Sequence, residues 1–186
     1  MSVSLVIIDI QNDYFPNGNM ELVGSEAAGQ MAGRLLSFFR ERAWPVFHIQ
    51  HLALRPGATF FLPNTRGVEF HPSVAPLDGE CVIQKHFPNS FRETGLLEEL
   101  QQANIRQLVI AGMMTHMCVD ATTRAATDYG FDCRIAHDAC ATRNLKFGER
   151  VVNAPDVHAA FLAALEGSYG KVLAADEIMR VLEQPS

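Results

Sequence analysis

Three residues of different chemistry close or follow short apolar runs in this chain. Asp9 ends Leu5-Val-Ile-Ile, Lys85 ends Cys81-Val-Ile-Gln, and Cys118 follows Leu108-Val-Ile-Ala after a short turn. An ammonium stabilises a thiolate, and a carboxylate takes and returns its proton. The trio therefore holds the parts of a sulfur nucleophile aimed at a carbonyl carbon. Singly, each has an ordinary role: aspartate ends turns, lysine is solvated, and cysteine is a small core residue. Only a common location would make them a site.

That location depends on the elements around them. Strand-like runs at residues 4–9, 45–50, 81–85, 107–111, 132–136 and 171–174 alternate with segments of helical period. This alternation predicts an α/β fold, a three-layer αβα arrangement around a doubly wound, six-stranded parallel sheet of Rossmann-like type. In such sheets ligands bind outside the carboxyl ends of the strands, the edge that all three residues would share. One predicted helix, residues 25–42, carries Ala28, Met31, Ala32, Leu35 and Phe39 on one stripe. A later one repeats the pattern at Val157, Ala160, Phe161, Ala164 and Leu165, with Pro155 near its start and Gly167 after its end. A third, about residues 117–129 with Thr115 as its cap, would place the Cys118 thiol in its first turn. Its dipole would lower the thiol pKa, and its free N–H groups could form an oxyanion hole. Residues 52–79 hold Pro56, Pro63, Pro72 and Pro76 without a sustained period, and read as a long loop over the site.

Composition narrows the function classes. A chain of 186 residues fits one domain over 1–186, and no apolar run of membrane-spanning length is present. A formal charge of −6 without a basic block argues against nucleic acid, leaving a small-molecule substrate and the chain's own copies as expected partners. No signal peptide is visible, so a cytoplasmic location is expected. The four cysteines lack a CxxC pair and read as free thiols, with Cys81, Cys133 and Cys140 in packing roles. No GxGxxG or GxxxxGK[ST] loop follows the first strand.

Five ordered pieces carry a resemblance: Leu5-Val-Ile-Ile-Asp-Ile-Gln-Asn-Asp-Tyr-Phe15, Lys85-His-Phe-Pro-Asn-Ser-Phe91, Ala111-Gly-Met-Met-Thr-His-Met-Cys-Val119, Asp138-Ala-Cys-Ala-Thr142 and the late His158. Over nearly its whole length the chain resembles the isochorismatase-like cysteine hydrolases, which include nicotinamidases and N-carbamoylsarcosine amidohydrolase. The resemblance implies an amidohydrolase with a catalytic triad: Asp9 as general base and acid, Lys85 as the charged helper, and Cys118 as a nucleophile that forms a thioester intermediate. It also implies a cis peptide at Met113–Met114, with the N–H groups of Met114 and Cys118 as the oxyanion hole, and a homo-oligomer, dimer or tetramer. Relatives that cleave isochorismate lack the thiol, so isochorismate is not the expected substrate. Nicotinamidases carry an Asp-x-His pair and a further histidine that bind a metal. Here the stretch reads Phe47-His-Ile-Gln-His-Leu52, with His71 downstream and no aspartate, so neither a metal nor another cofactor is expected. His51 is then expected to donate to substrate from the pocket wall, with Phe15 and Phe60 as apolar walls, while His116 is structural or faces substrate. Two alternatives remain beside the C–N hydrolase: a metal-assisted nicotinamidase, and a nonhydrolytic thiol redox or sensor protein.

Overall fold

The structure is a computed structural model, and it describes residues 2–184. Met1, Pro185 and Ser186 of the expected 1–186 domain lie outside the described residues. Six strands form one parallel sheet: β1 (Val3–Ile8), β2 (Val46–His51), β3 (Cys81–Lys85), β4 (Gln107–Met113), β5 (Asp132–Ala141) and β8 (Lys171–Leu173), in the order β3-β2-β1-β4-β5-β8. These are the six expected strands, with β4 and β5 longer than their apolar cores suggested. A small antiparallel hairpin, β6 (Leu145–Phe147) with β7 (Arg150–Val152), was not anticipated.

Side chains of β1 alternate between two cores, as strand geometry requires. Val3, Leu5 and Ile7 join a cluster with α1 (Ser25–Glu41) and α5 (Ala175–Glu183). Val6 and Ile8 join another with α2 (Leu96–Gln102), α3 (Asp120–Asp128) and α4 (Ala154–Leu165). Every residue of β1 is buried, the polar Ser4 included, and the strand, with its apolar run Leu5-Val-Ile-Ile, sits at the centre of the sheet. The short helices α2 and α5 escape a stripe-based reading because each shows only about two turns of pattern. By contrast, α4 has Pro155 in its first turn and Gly167 just beyond its end, as its punctuation predicted.

From β1 the chain winds outward through β2 to β3, then returns to the other side of β1 with β4. The carboxyl ends of β1 and β4 therefore flank the point where the winding reverses. Gly112 lets these ends approach: it pairs with Ile8, and a Cβ there would run into the Ile8 carbonyl oxygen. Its φ of +146 is one that other residues rarely adopt.

Candidate active site

Asp9 leaves β1 with φ 51, a left-handed conformation that aspartate tolerates, and its N–H donates to the Ile49 carbonyl at 3.1 Å. Lys85 stands at the end of β3, two strands from β1 and so roughly 10 Å away at normal strand spacing. Its fully buried side chain crosses that gap. The Nζ donates to Asp9 Oδ2 at 2.7 Å and to the Phe87 carbonyl at 3.1 Å, and lies 3.0 Å from His51 Nδ1. Burial alone would lower the lysine pKa, but its acidic neighbours, Asp9 first and then Cys118, outweigh it and the net shift is upward. Lys85 is an ammonium.

Cys118 lies in a π-helical turn, Thr115–Val119, that precedes α3. The expected Thr115 cap is replaced by other bonds. The buried Thr115 Oγ1 donates to the Ala141 carbonyl at 3.2 Å and meets His158 Nδ1 at 2.9 Å, tying the turn to β5 and α4. His116 bonds through Nδ1 to Thr142 Oγ1 and packs edge-on to Phe161, which makes it structural. The peptide Met113–Met114 is cis, as the resemblance implied.

The thiol of Cys118, a nitrogen of His51 and a carboxylate oxygen of Asp9 all lie within 4.8 Å of one another. The lowered thiol pKa expected from a helix N-terminus is not found. Burial and then the Asp9 charge push the Cys118 thiol well above its ordinary value, and Lys85 offsets only part of this. The resting sulfur is thus a neutral thiol that needs a base. Asp9 is placed to be that base: its Oδ1 is buried and makes no hydrogen bond among the described residues.

Cys118 opens on a cavity of about 300 Å³. Larger clefts, of about 560 and 520 Å³, lie over α1 and beside Phe15, and neither is lined by a cysteine. Phe60, Phe87, Met114 and Met117 give the Cys118 cavity its apolar wall. Tyr14 and His51 supply polar atoms, and Arg55 and His86 border it. Of the expected substrate residues, His51 and Phe60 line this space and Phe15 does not. Phe15 stacks on His71 at 3.5 Å between centroids and packs against Gly29 of α1, so it belongs to the core; its neighbour Tyr14 faces the cavity instead. The loop following β2 does cover the site. Its Phe61 N–H is held by the buried Asp13 carboxylate at 2.6 Å, which seats the Phe60–Phe61 corner against Tyr14.

Two residues that shape this space were not singled out from the sequence. Gln11 is fully buried and clamps the His51 backbone on both sides. Its Oε1 accepts the His51 N–H at 2.8 Å, and its Nε2 donates to the His51 carbonyl at 3.0 Å and the Val68 carbonyl at 2.7 Å. Tyr14 is the second, and burial raises its phenol pKa, so it is a neutral donor facing the cavity. A glutamine three residues past the end of β1 was the one available signal for Gln11.

The nicotinamidase-type metal set does not fit these residues. His48 Nε2 lies 2.9 Å from Glu80 Oε2, and His71 Nδ1 lies 2.9 Å from Ser73 Oγ, so neither joins His51. Two members of the Asp9–His51–Cys118 group already contact a cation supplied by the chain, the Lys85 ammonium, at 2.7 and 3.0 Å.

A model of the isochorismatase domain matches residues 3–177. An uncharacterised isochorismatase family protein, YddQ of Bacillus subtilis, is 50% identical over 180 residues, covering 97% of this chain and 100% of that protein. A solved structure of an isochorismatase hydrolase from Oleispira antarctica superposes with a TM-score of 0.93 at 48% identity, covering 96% of each chain. More distantly, a nicotinamidase of Acinetobacter baylyi is 26% identical over 171 residues, covering 74% of this chain and 80% of that enzyme. With the fold, the matched domain and the half-identical relative in agreement, this chain belongs to the isochorismatase family of hydrolases.

Proposed function

We propose that the protein hydrolyses a C–N bond of a small carboxamide or related compound through a thioester on Cys118. The observation that carries this reading is the buried Asp9–Lys85 pair, at 2.7 Å, beside the only thiol that borders the cavity among the described residues. In the first half-reaction Asp9 takes the S–H proton and the sulfur attacks the carbonyl carbon, with Lys85 balancing the thiolate charge. The N–H groups of Met114 and Cys118 receive the oxyanion. As the C–N bond breaks, Asp9 gives its proton to the departing nitrogen, and an amine or ammonia leaves. In the second half, Asp9 deprotonates a water that attacks the thioester, then returns the proton to the departing sulfur. The sum is amide plus water giving acid plus amine, with every group restored. The raised thiol pKa supports this base-dependent route over a thiol sensor, which needs a standing thiolate.

Ammonia release from a panel of carboxamides, N-carbamoyl compounds and ureido acids tests the reading. Turnover of at least one compound by the wild type, abolished in Cys118→Ala, is the expected result. Turnover undiminished in Cys118→Ala would refute it.

A further inference from the structure

Lys85 is described above as the partner of Asp9, yet its environment holds more. An ammonium has three protons to donate. Here it meets three acceptors: Asp9 Oδ2 at 2.7 Å, His51 Nδ1 at 3.0 Å and the Phe87 carbonyl at 3.1 Å. One is anionic and two are neutral. We propose that His51 is a positioning residue that acts through Lys85, its Nδ1 lone pair holding the ammonium between Asp9 and Cys118 while negative charge moves from one to the other. This rests on the thiol mechanism proposed above.

When Asp9 takes the thiol proton it becomes neutral and a weaker acceptor, and the charge now sits on sulfur. The ammonium must follow the charge without leaving the site. Two neutral acceptors that do not change during the step are suited to this, since they hold Nζ while its third proton turns from oxygen to sulfur.

Three further observations bear on His51. Sheet register pairs it directly with Lys85, so the two side chains leave adjacent strands on the same face. Gln11 fixes the His51 backbone at both its N–H and its carbonyl, which keeps the ring from drifting. Burial lowers the imidazole pKa to about 4, so the ring is neutral at ordinary pH and can accept. Because Lys85 can only donate, the His51 proton resides on Nε2.

Asparagine and glutamine separate the two ring nitrogens. An asparagine Oδ1 occupies the place of Nδ1, whereas a glutamine reaches the place of Nε2. The readout is the rate at which iodoacetamide alkylates Cys118 at pH 7, followed by mass spectrometry of its peptide, with melting curves to show that each variant is folded. His51→Leu should slow alkylation roughly 10- to 100-fold, the value of a hydrogen bond to a charged group. His51→Asn should recover most of that loss, and His51→Gln should not. Alkylation of His51→Leu at the wild-type rate, or rescue by glutamine in place of asparagine, would overturn the proposal; the latter would place the needed contact at Nε2 and not at the nitrogen that faces Lys85. Alkylation breaks a C–I bond and requires no amide hydrolysis, so the outcome is independent of the carboxamide panel. A protein silent on every carboxamide that still shows the asparagine rescue would refute the reaction and leave the role of His51 standing.

Discussion

Two clusters in this protein have the same ingredients: a carboxylate, a cation and a histidine of β2. At the carboxyl edge stand Asp9, Lys85 and His51; near the amino end of β3 stand Glu80, Arg40 and His48. Arg40 grips Glu80 with two bonds of 2.7 Å, the Leu77 N–H donates to it at 2.8 Å, and His48 Nε2 is 2.9 Å away. Both carboxylate oxygens are used, and the result ties α1, β2 and the end of the long loop together. Asp9 meets a point-like ammonium instead, keeps one buried oxygen unbonded, and neighbours a thiol at a cavity. A planar guanidinium satisfies a carboxylate; a lysine leaves it capacity to take a proton. Like residues thus make a brace in one place and a reactive centre in the other, and the difference lies in what remains unsatisfied.

The largest expected contrast comes from neutralising each acid. Asp9→Asn should lower kcat by about 1000-fold or more, as loss of a general base does, and should also destabilise the fold, because it leaves the buried Lys85 ammonium without an anionic partner. Glu80→Gln should cost about 1–3 kcal/mol in urea unfolding while kcat stays within about threefold. Equal losses of activity in the two variants would erase the distinction between brace and centre.

A smaller contrast should appear in stability against pH. The His51 pKa falls from 6.5 to about 4 on folding, so its contribution is complete above pH 6.5 and is lost as pH drops toward 4. That of Glu80 falls from 4.5 to about 2, so its contribution is complete above pH 4.5 and is lost toward pH 2. Urea unfolding across this range should show His51→Asn flattening part of the upper window, which the buried His48 shares, and Glu80→Gln flattening the lower one. Effects in the opposite windows would show the assignments to be exchanged.

The smallest contrast separates two phenylalanines that read alike in sequence. Phe60→Ala should raise KM a few-fold with kcat nearly unchanged, because Phe60 walls the cavity. Phe15→Ala should instead destabilise by about 3–5 kcal/mol, because Phe15 fills the core. A KM effect at Phe15 matching that at Phe60 would return it to the substrate.

What the sequence revealed follows from the range of the interactions involved. The sheet was legible because β1 and β4, buried on both faces, carry the apolar runs Leu5–Ile8 and Leu108–Ala111, and the trio was legible because its members end or follow such runs. The Phe15–Tyr14 exchange was not. Two adjacent aromatics differ only in which way a three-residue turn presents them, and that is decided by Asp13 reaching forward to Phe61. The cap assigned to Thr115 failed for a similar reason: its hydroxyl finds Ala141 and His158, far along the chain. The thiol pKa was misjudged because a helix end is a local feature, whereas burial belongs to the whole fold.

The central claim is that Cys118 carries the acyl group. Substrate mixed with enzyme and quenched within one turnover should give an intact mass raised by the acyl moiety, mapped by peptide analysis to Cys118 and discharged by hydroxylamine, with no such adduct in Cys118→Ala. Turnover of the amide with no adduct at Cys118, or an adduct on another residue, would contradict it.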